Sequence, residues 1–239
     1  MKFISYRENV EDVFESHNTT CLVHLGWSTT PRVPYTEIET AIKNDVLSSK
    51  KLFDYFSHKN PNGKIIFLSS AGDLLSGYER TVNEETPPSP RTLYGECKLQ
   101  VENILKVINC DTVSLRVSNV WGGNDLPKDR KNGLVDKLIQ SLDKDEVVEI
   151  YGNLESRVDL IHVTDLCELI LKVIESPVPF QHQTYVVGAQ SLTIREIIDR
   201  ISSQGTLLLR LRKNESKSYV HIENSLVRRM FEWNPKVKL

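Results

Sequence analysis

The chain has 239 residues, long enough for one sizeable core or for a domain with a smaller lobe. Its 30 basic and 32 acidic residues nearly cancel, which argues against nucleic acid or anionic membrane as an obligatory partner. No apolar run is long enough to span a bilayer, Met1–Arg7 does not read as a signal peptide, and the four cysteines (Cys21, Cys97, Cys110, Cys167) lie too far apart for a metal-type pair, so the plain expectation is reduced core thiols in a cytoplasmic protein.

In chain order, Met1–Ser5 reads as a brief strand, and Val10–Phe14 has helical spacing. Cys21–Gly26 is a short apolar run of the kind that forms a buried parallel strand. Pro31 and Pro34 mark a loop. Ile38, Ile42, Val46, Leu47, Leu52, Phe53 and Phe56 then give a long amphipathic helix from Thr36 to Phe56. Asn60-Pro61-Asn62-Gly63 is a turn, and Lys64–Leu68 is a buried strand that delivers Ser69 and Ser70 at its C-terminal end. The run Leu99–Leu105 is helical.

Thr112–Val117 alternates as a strand and leads into Ser118-Asn119-Val120-Trp121-Gly122. Gly133–Leu142 reads as a helix and Val147–Gly152 as a strand; a further strand holds His162, which between Ile161 and Val163 is a satisfied side chain rather than a metal ligand. Thr164 caps a helix over Leu166–Ile174, Pro177 and Pro179 break it, and Thr184–Gly188 is a short strand. Thr193 and Glu196 have capping-box spacing and open the helix Ile197–Ile201. Strands alternating with helices argue for an α/β protein with a doubly wound parallel sheet, and no internal repeat is visible.

The chemistry gathers at Tyr94-Gly95-Glu96-Cys97-Lys98. Tyr94 and Lys98 are one helical turn apart and share a face. A phenol titrates near pH ~10, and an adjacent ammonium is expected to move it toward working pH. Ser70, delivered by a strand end where ligands bind in open α/β sheets, completes a set able to bind a substrate hydroxyl and take its proton. That is the chemistry of an alcohol–ketone interconversion.

Three segments carry a resemblance: Ser69-Ser70-Ala71, Glu84-Glu85-Thr86-Pro87-Pro88-Ser89-Pro90, and Tyr94 through Lys98. They look like the extended short-chain dehydrogenase/reductases, and most like their NAD-dependent epimerase/dehydratase branch, typified by UDP-glucose 4-epimerase. The resemblance implies a Rossmann-like domain over residues 1–120 and a mainly substrate-binding C-terminal lobe over 121–239, with a stretch at about 158–175 returning to the main sheet. It implies Ser70, Tyr94 and Lys98 as catalytic residues, with Lys98 also holding the nicotinamide ribose. Gly26, Trp27 and Ser28 would border the dinucleotide, Asn44 and Ser69 would support that site, and Asn119, Tyr151 and Arg157 would hold the nucleotide sugar. Arg157 stands one position before the family's phosphate-gripping arginine, and between Gly72 and Tyr78 the family's usual pattern is lost.

The family binds NAD through a glycine-rich turn after its first strand, yet the first glycine here is Gly26. The sheet is therefore expected to be incomplete at its N-terminal side, with an exposed strand edge for a second copy or a partner chain to cover. The chain then reads either as a fragment or as a short form. Ala71 and Gly72 stand where dehydratases of the family carry an acid–base pair, which leaves by subtraction a 4-epimerase or a 4-keto-sugar reductase using Ser70, Tyr94 and Lys98. The other reading is a catalytically silent homologue that binds a sugar nucleotide or a partner.

Overall fold

The computed structural model of the protein describes residues 19–123, 133–213 and 218–239, so the expected strand Met1–Ser5 and helix Val10–Phe14 lie outside the described residues. The chain forms two compact units, each discontinuous in sequence. The first is Met1–Leu74, Pro88–Arg116 and Val173–Tyr185; the second is Leu75–Pro87, Val117–Lys172 and Val186–Leu239. After Arg116 the chain passes into the second unit, and the later segment that belongs to the first unit is Val173–Tyr185. The strand at 157–162 pairs within a small sheet of the second unit.

In the first unit, β1 (Cys21–His24) pairs in parallel with β2 (Lys64–Ser70). Between them runs a continuous helical stretch: a 3-10 turn at Tyr35–Glu37, α1 (Ile38–Ala41), a π-helical segment at Ile42–Leu47 and α2 (Ser48–Lys59). A short helix α3 (Ala71–Leu74) follows β2 directly; β3 (Thr81–Val82) belongs to the second unit, and α4 (Leu93–Leu105) and β4 (Asp111–Val117) return to the first.

Ile65, Ile66 and Phe67 are fully buried, as befits a strand covered on both faces. On one side Phe53, Phe56, Leu93, Cys97, Val101 and Leu105 from α2 and α4 pack with Ile65 and Phe67 into a single core. The main sheet has the order β1-β2-β4-β8, with β8 at Gln183–Val187, so β1 is the terminal strand among the described residues. At the other end of β2 the Lys64 ammonium donates to the carbonyls of Val173, Ile174 and Ser176, 2.8–3.2 Å away, and anchors the returning segment.

The second unit holds β5 (Asn119–Trp121), α5 (Leu134–Gln140), β6 (Val147–Gly152), β7 (Arg157–His162) and most of α6 (Val163–Glu175). It continues with β9 (Gln190–Thr193), α7 (Ile194–Ser202), β10 (Leu208–Lys213), β11 (His221–Ile222) and α8 (Ser225–Phe231). The strands make small sheets, β5-β7-β9, β6-β10 and β3-β11. Leu138, Ile150, Leu160, Ile197 and Ile201 centre its core. The capping box forms as expected, with Thr193 accepting from the Glu196 amide and Glu196 accepting from the Thr193 amide. Trp233 donates its indole N–H to the Asp165 carbonyl at 3.0 Å, while the Asp165 carboxylate accepts from the amides of Lys236 and Val237.

Candidate active site

The site is built where β2 ends against α4. Thr92 caps α4 by accepting from the Gly95 amide at 3.3 Å, which fixes where the helix begins. From there Tyr94, Lys98 and Glu102 recur every fourth residue and form one row along α4. Each meets the end of β2. Tyr94 comes near enough to the Ser70 side chain for that hydroxyl to lower its phenol, Lys98 donates to the Leu68 carbonyl at 2.7 Å, and Glu102 accepts from the Ser69 hydroxyl at 2.6 Å. Glu102 also takes a bidentate pair from Arg116 on β4, at 3.0 and 2.8 Å, with both side chains buried. The Ser69 hydroxyl is thus directed to Glu102, which Arg116 also holds.

Gly95 is where it is because nothing larger fits. A Cβ there would lie 1.9 Å from an Asp73 carboxylate oxygen. Asp73 accepts from the Thr92 hydroxyl at 2.7 Å, and its amide reaches the Ser70 hydroxyl at 3.4 Å. Asp73 therefore ties the cap of α4 to the Ser70 turn.

The electrostatics differ from the expectation for Tyr94. Burial raises the phenol above its ordinary value, the Ser70 hydrogen bond opposes this, and the carboxylates of Asp73 and Asp45 push it further up. Lys98 does not lower it. Burial instead brings Lys98 itself down to about 7, against the pull of Asp45 and Glu102. The reason is desolvation: an ammonium 5 % exposed, with one carbonyl for a partner, holds its charge poorly.

The walls around Lys98 are aromatic. Its nitrogen lies 3.7 Å from the centre of the Trp27 ring, 4.8 Å from Phe67 and 5.6 Å from Tyr94. Trp27 meets Tyr94 edge-on at 6.2 Å. Its indole N–H donates to the Thr29 hydroxyl at 2.8 Å, which donates to Asp45 at 2.7 Å. Asp45 also accepts from the amides of Ser28 and Thr29 at 2.7 and 3.0 Å. Nearby, His24 is held neutral, its imidazole lowered to about 4 by burial and by Lys98.

Asn44 is exposed, and its neighbour Asp45 is the buried residue that orders the loop after β1. Both sit in the π-helical segment, and Asp45 lies on the inward face, four residues after the buried Ala41 and four before the buried Ser49. Gly26 and Ser28 are exposed in that loop. The sequence signal for Asp45 was present, an acidic residue three positions after Ile42 and beside Val46 on an otherwise apolar face.

Asn119, Tyr151 and Arg157 lie in the second unit, each with contacts of its own. Asn119 donates to the Asp159 carbonyl at 3.0 Å. Tyr151 is 68 % exposed and hydrogen-bonds Glu149. Arg157 donates to the Ser191 carbonyl at 3.0 Å and lies 3.8 Å from Glu196. Asp159, which sequence reasoning passed over, is buried and accepts from the amides of Ala189 and Ile222, and burial raises its carboxyl above the ordinary range. Among the described residues no cluster could hold a metal ion, and no helix is long and apolar enough to cross a membrane.

The model of the NAD dependent epimerase/dehydratase family matches residues 4–188, well over half of the chain. The chain belongs to that family. It is 25 % identical over 199 residues to the dTDP-4-dehydro-6-deoxyglucose reductase of Escherichia coli, covering 81 % of this chain and 62 % of that relative's length. Among solved structures, MoeE5 in complex with UDP-glucuronic acid and NAD superposes with a TM-score of 0.84 at 17 % identity, covering 97 % of this chain and 78 % of that one. The UDP-glucose 4-epimerase of Thermus thermophilus in complex with NAD gives 0.82 at 20 % identity, covering 96 % and 77 %. At such identities the likeness is one of fold: this family member has the Rossmann-type α/β architecture of these proteins.

Proposed function

We propose that the chain acts on a nucleotide sugar at a secondary alcohol–ketone centre, with NAD as redox partner, as a 4-keto-sugar reductase or a 4-epimerase. The observation that carries this is that Tyr94 and Lys98, one turn apart on α4, face the Ser70 end of β2, where Ser70 lowers the Tyr94 phenol and Lys98 donates to the Leu68 carbonyl. The E. coli relative, by its name, reduces a 4-keto nucleotide sugar, and the Thermus structure is an epimerase bound to NAD.

The chain's own groups favour the reductive direction. A phenol held above its ordinary pKa is protonated at neutral pH, so Tyr94 is poised to give its proton to a carbonyl oxygen as charge develops there. Ser70 donates a second hydrogen bond to the same oxygen and then to the phenolate that Tyr94 becomes. Epimerisation would need Tyr94 to act first as a base, and its environment opposes that. When bound, the dinucleotide supplies the hydride. The ribose contact assigned to Lys98 does not fit while Trp27 covers the ammonium. That contact favours a second reading, a silent homologue that binds the sugar nucleotide alone.

The test is turnover. Purified protein is supplied with NADH or NADPH and dTDP-4-dehydro-6-deoxyglucose, and separately with UDP-glucose or UDP-galactose plus NAD. Turnover that Tyr94→Phe abolishes supports the enzyme. No turnover and no dinucleotide released on denaturation leaves the silent reading.

A further inference from the structure

Lys98 is the residue on which the proposed dinucleotide site depends, and it is covered. An ammonium has three N–H donors and no acceptor. One donor goes to the Leu68 carbonyl at 2.7 Å, and the ammonium is otherwise faced by the rings of Trp27, Phe67 and Tyr94. At 3.7 Å from the ring centre the ammonium is in van der Waals contact with the Trp27 face. A ligand hydroxyl would need its oxygen within about 3.2 Å of the same nitrogen. On the Trp27 side, indole and hydroxyl exclude each other.

Of the three rings only Trp27 sits on a loop. Phe67 belongs to β2 and is fully buried, and Tyr94 is set by the first turn of α4. Trp27 follows β1, next to an exposed Gly26 with open space where a Cβ would be. What holds it is packing against the rings of His24, Phe67 and Tyr94, together with the chain of hydrogen bonds from indole to Thr29 to Asp45, backed by the two loop amides on the same carboxylate.

We propose that Trp27 is a cover on Lys98, latched by Thr29 and Asp45, and that a ligand with vicinal hydroxyls, here the ribose of a nicotinamide dinucleotide, engages Lys98 only once the indole has swung aside. The choice of ligand rests on the proposed function; the cover itself does not. Trp27 thus decides access to the site without touching the reacting carbon. The low lysine pKa agrees with the closed form, because opening admits water and restores the charge.

The experiment reads Lys98 directly. The intact protein is acetylated briefly with an N-hydroxysuccinimide ester, and labelling at Lys98 is compared by peptide mass spectrometry with that at Lys106, exposed at the end of the same helix. In the unmodified protein Lys98 is expected to label roughly tenfold or more slowly than Lys106, and in Trp27→Ala to approach it. Thr29→Val, which keeps the indole but removes its acceptor, is expected to fall between, and serves if Trp27→Ala does not fold. Equal labelling of both lysines in the unmodified protein overturns the cover, as does slow labelling of Lys98 in a folded Trp27→Ala or an unchanged rate in Thr29→Val.

Titration with NADH, followed by its fluorescence, addresses the ligand. Tighter binding to Trp27→Ala than to the unmodified protein supports the proposal, and weaker binding overturns it. A freed Lys98 with no NADH binding in either protein upholds the cover and defeats the dinucleotide reading of the site.

Discussion

The Lys98 ammonium stands 3.7 Å from the centre of the Trp27 ring and 2.7 Å from the Leu68 carbonyl oxygen. That placement makes Lys98 a liability to the fold as well as a candidate ligand for a ribose. Its pKa in the folded chain is lowered to about 7, so between there and the ordinary lysine value near ~10.4 the unfolded chain binds the extra proton. Stability is therefore expected to rise with pH from about neutral to about pH 10, and the full penalty is present below neutrality. Urea unfolding across that range measures it. Lys98→Met is expected to flatten the rise and to be the more stable protein at neutral pH, by about 1–3 kcal/mol after losing the carbonyl hydrogen bond.

Tyr94 should respond in opposite directions to its two neighbours. Ser70→Ala removes the hydrogen bond that lowers the phenol, so its pKa should climb further. Asp73→Asn removes a carboxylate that raises it, so the phenol should fall. Ultraviolet absorbance of the phenolate, differenced against Tyr94→Phe, reads both. If turnover is found, Tyr94→Phe and Ser70→Ala should each lower kcat by about a hundredfold or more.

Glu102, the last member of the row on α4, pairs with Arg116, and both side chains are buried. Glu102→Ala would leave a guanidinium uncompensated and the Ser69 hydroxyl without its acceptor, at a cost of about 3–5 kcal/mol. Glu102→Leu combined with Arg116→Met should recover most of that loss. Denaturant midpoints of the single and double variants decide it; a mild single-variant effect would mean the pair is not desolvated.

Gly95→Ala forces a methyl to within 1.9 Å of the Asp73 carboxylate unless that side chain moves. Movement would break the Thr92–Asp73 hydrogen bond and loosen the cap of α4. A loss of about 1–3 kcal/mol in thermal or urea unfolding is expected, with the Tyr94 titration broadened or shifted.

Much of this was legible along the chain. Ile65-Ile66-Phe67 announces a strand covered on both faces, Thr193 and Glu196 announce a helix start, and both form as read. Tyr94 and Lys98 share a face because helical spacing makes them. Other elements were not legible. The strand β10 at Leu208–Lys213 gains its identity from pairing with β6, distant in sequence. Along the long helical stretch Asp45 faces inward in step with Ala41, Ser49 and Phe53, while Asn44, whose role came from the resemblance rather than from periodicity, is exposed.

Local periodicity and short motifs were enough to establish the α/β class, the family, and the presence of Ser70, Tyr94 and Lys98 at spacings that can meet. What those groups are like emerged only once the chain was folded. Burial raises Tyr94 and lowers Lys98, a tryptophan from the loop after β1 closes over the ammonium, and Ser69 is turned toward a buried ion pair. The physical reason is that desolvation and proximity depend on side chains brought together from distant parts of the chain, and no local pattern records which of them will be neighbours.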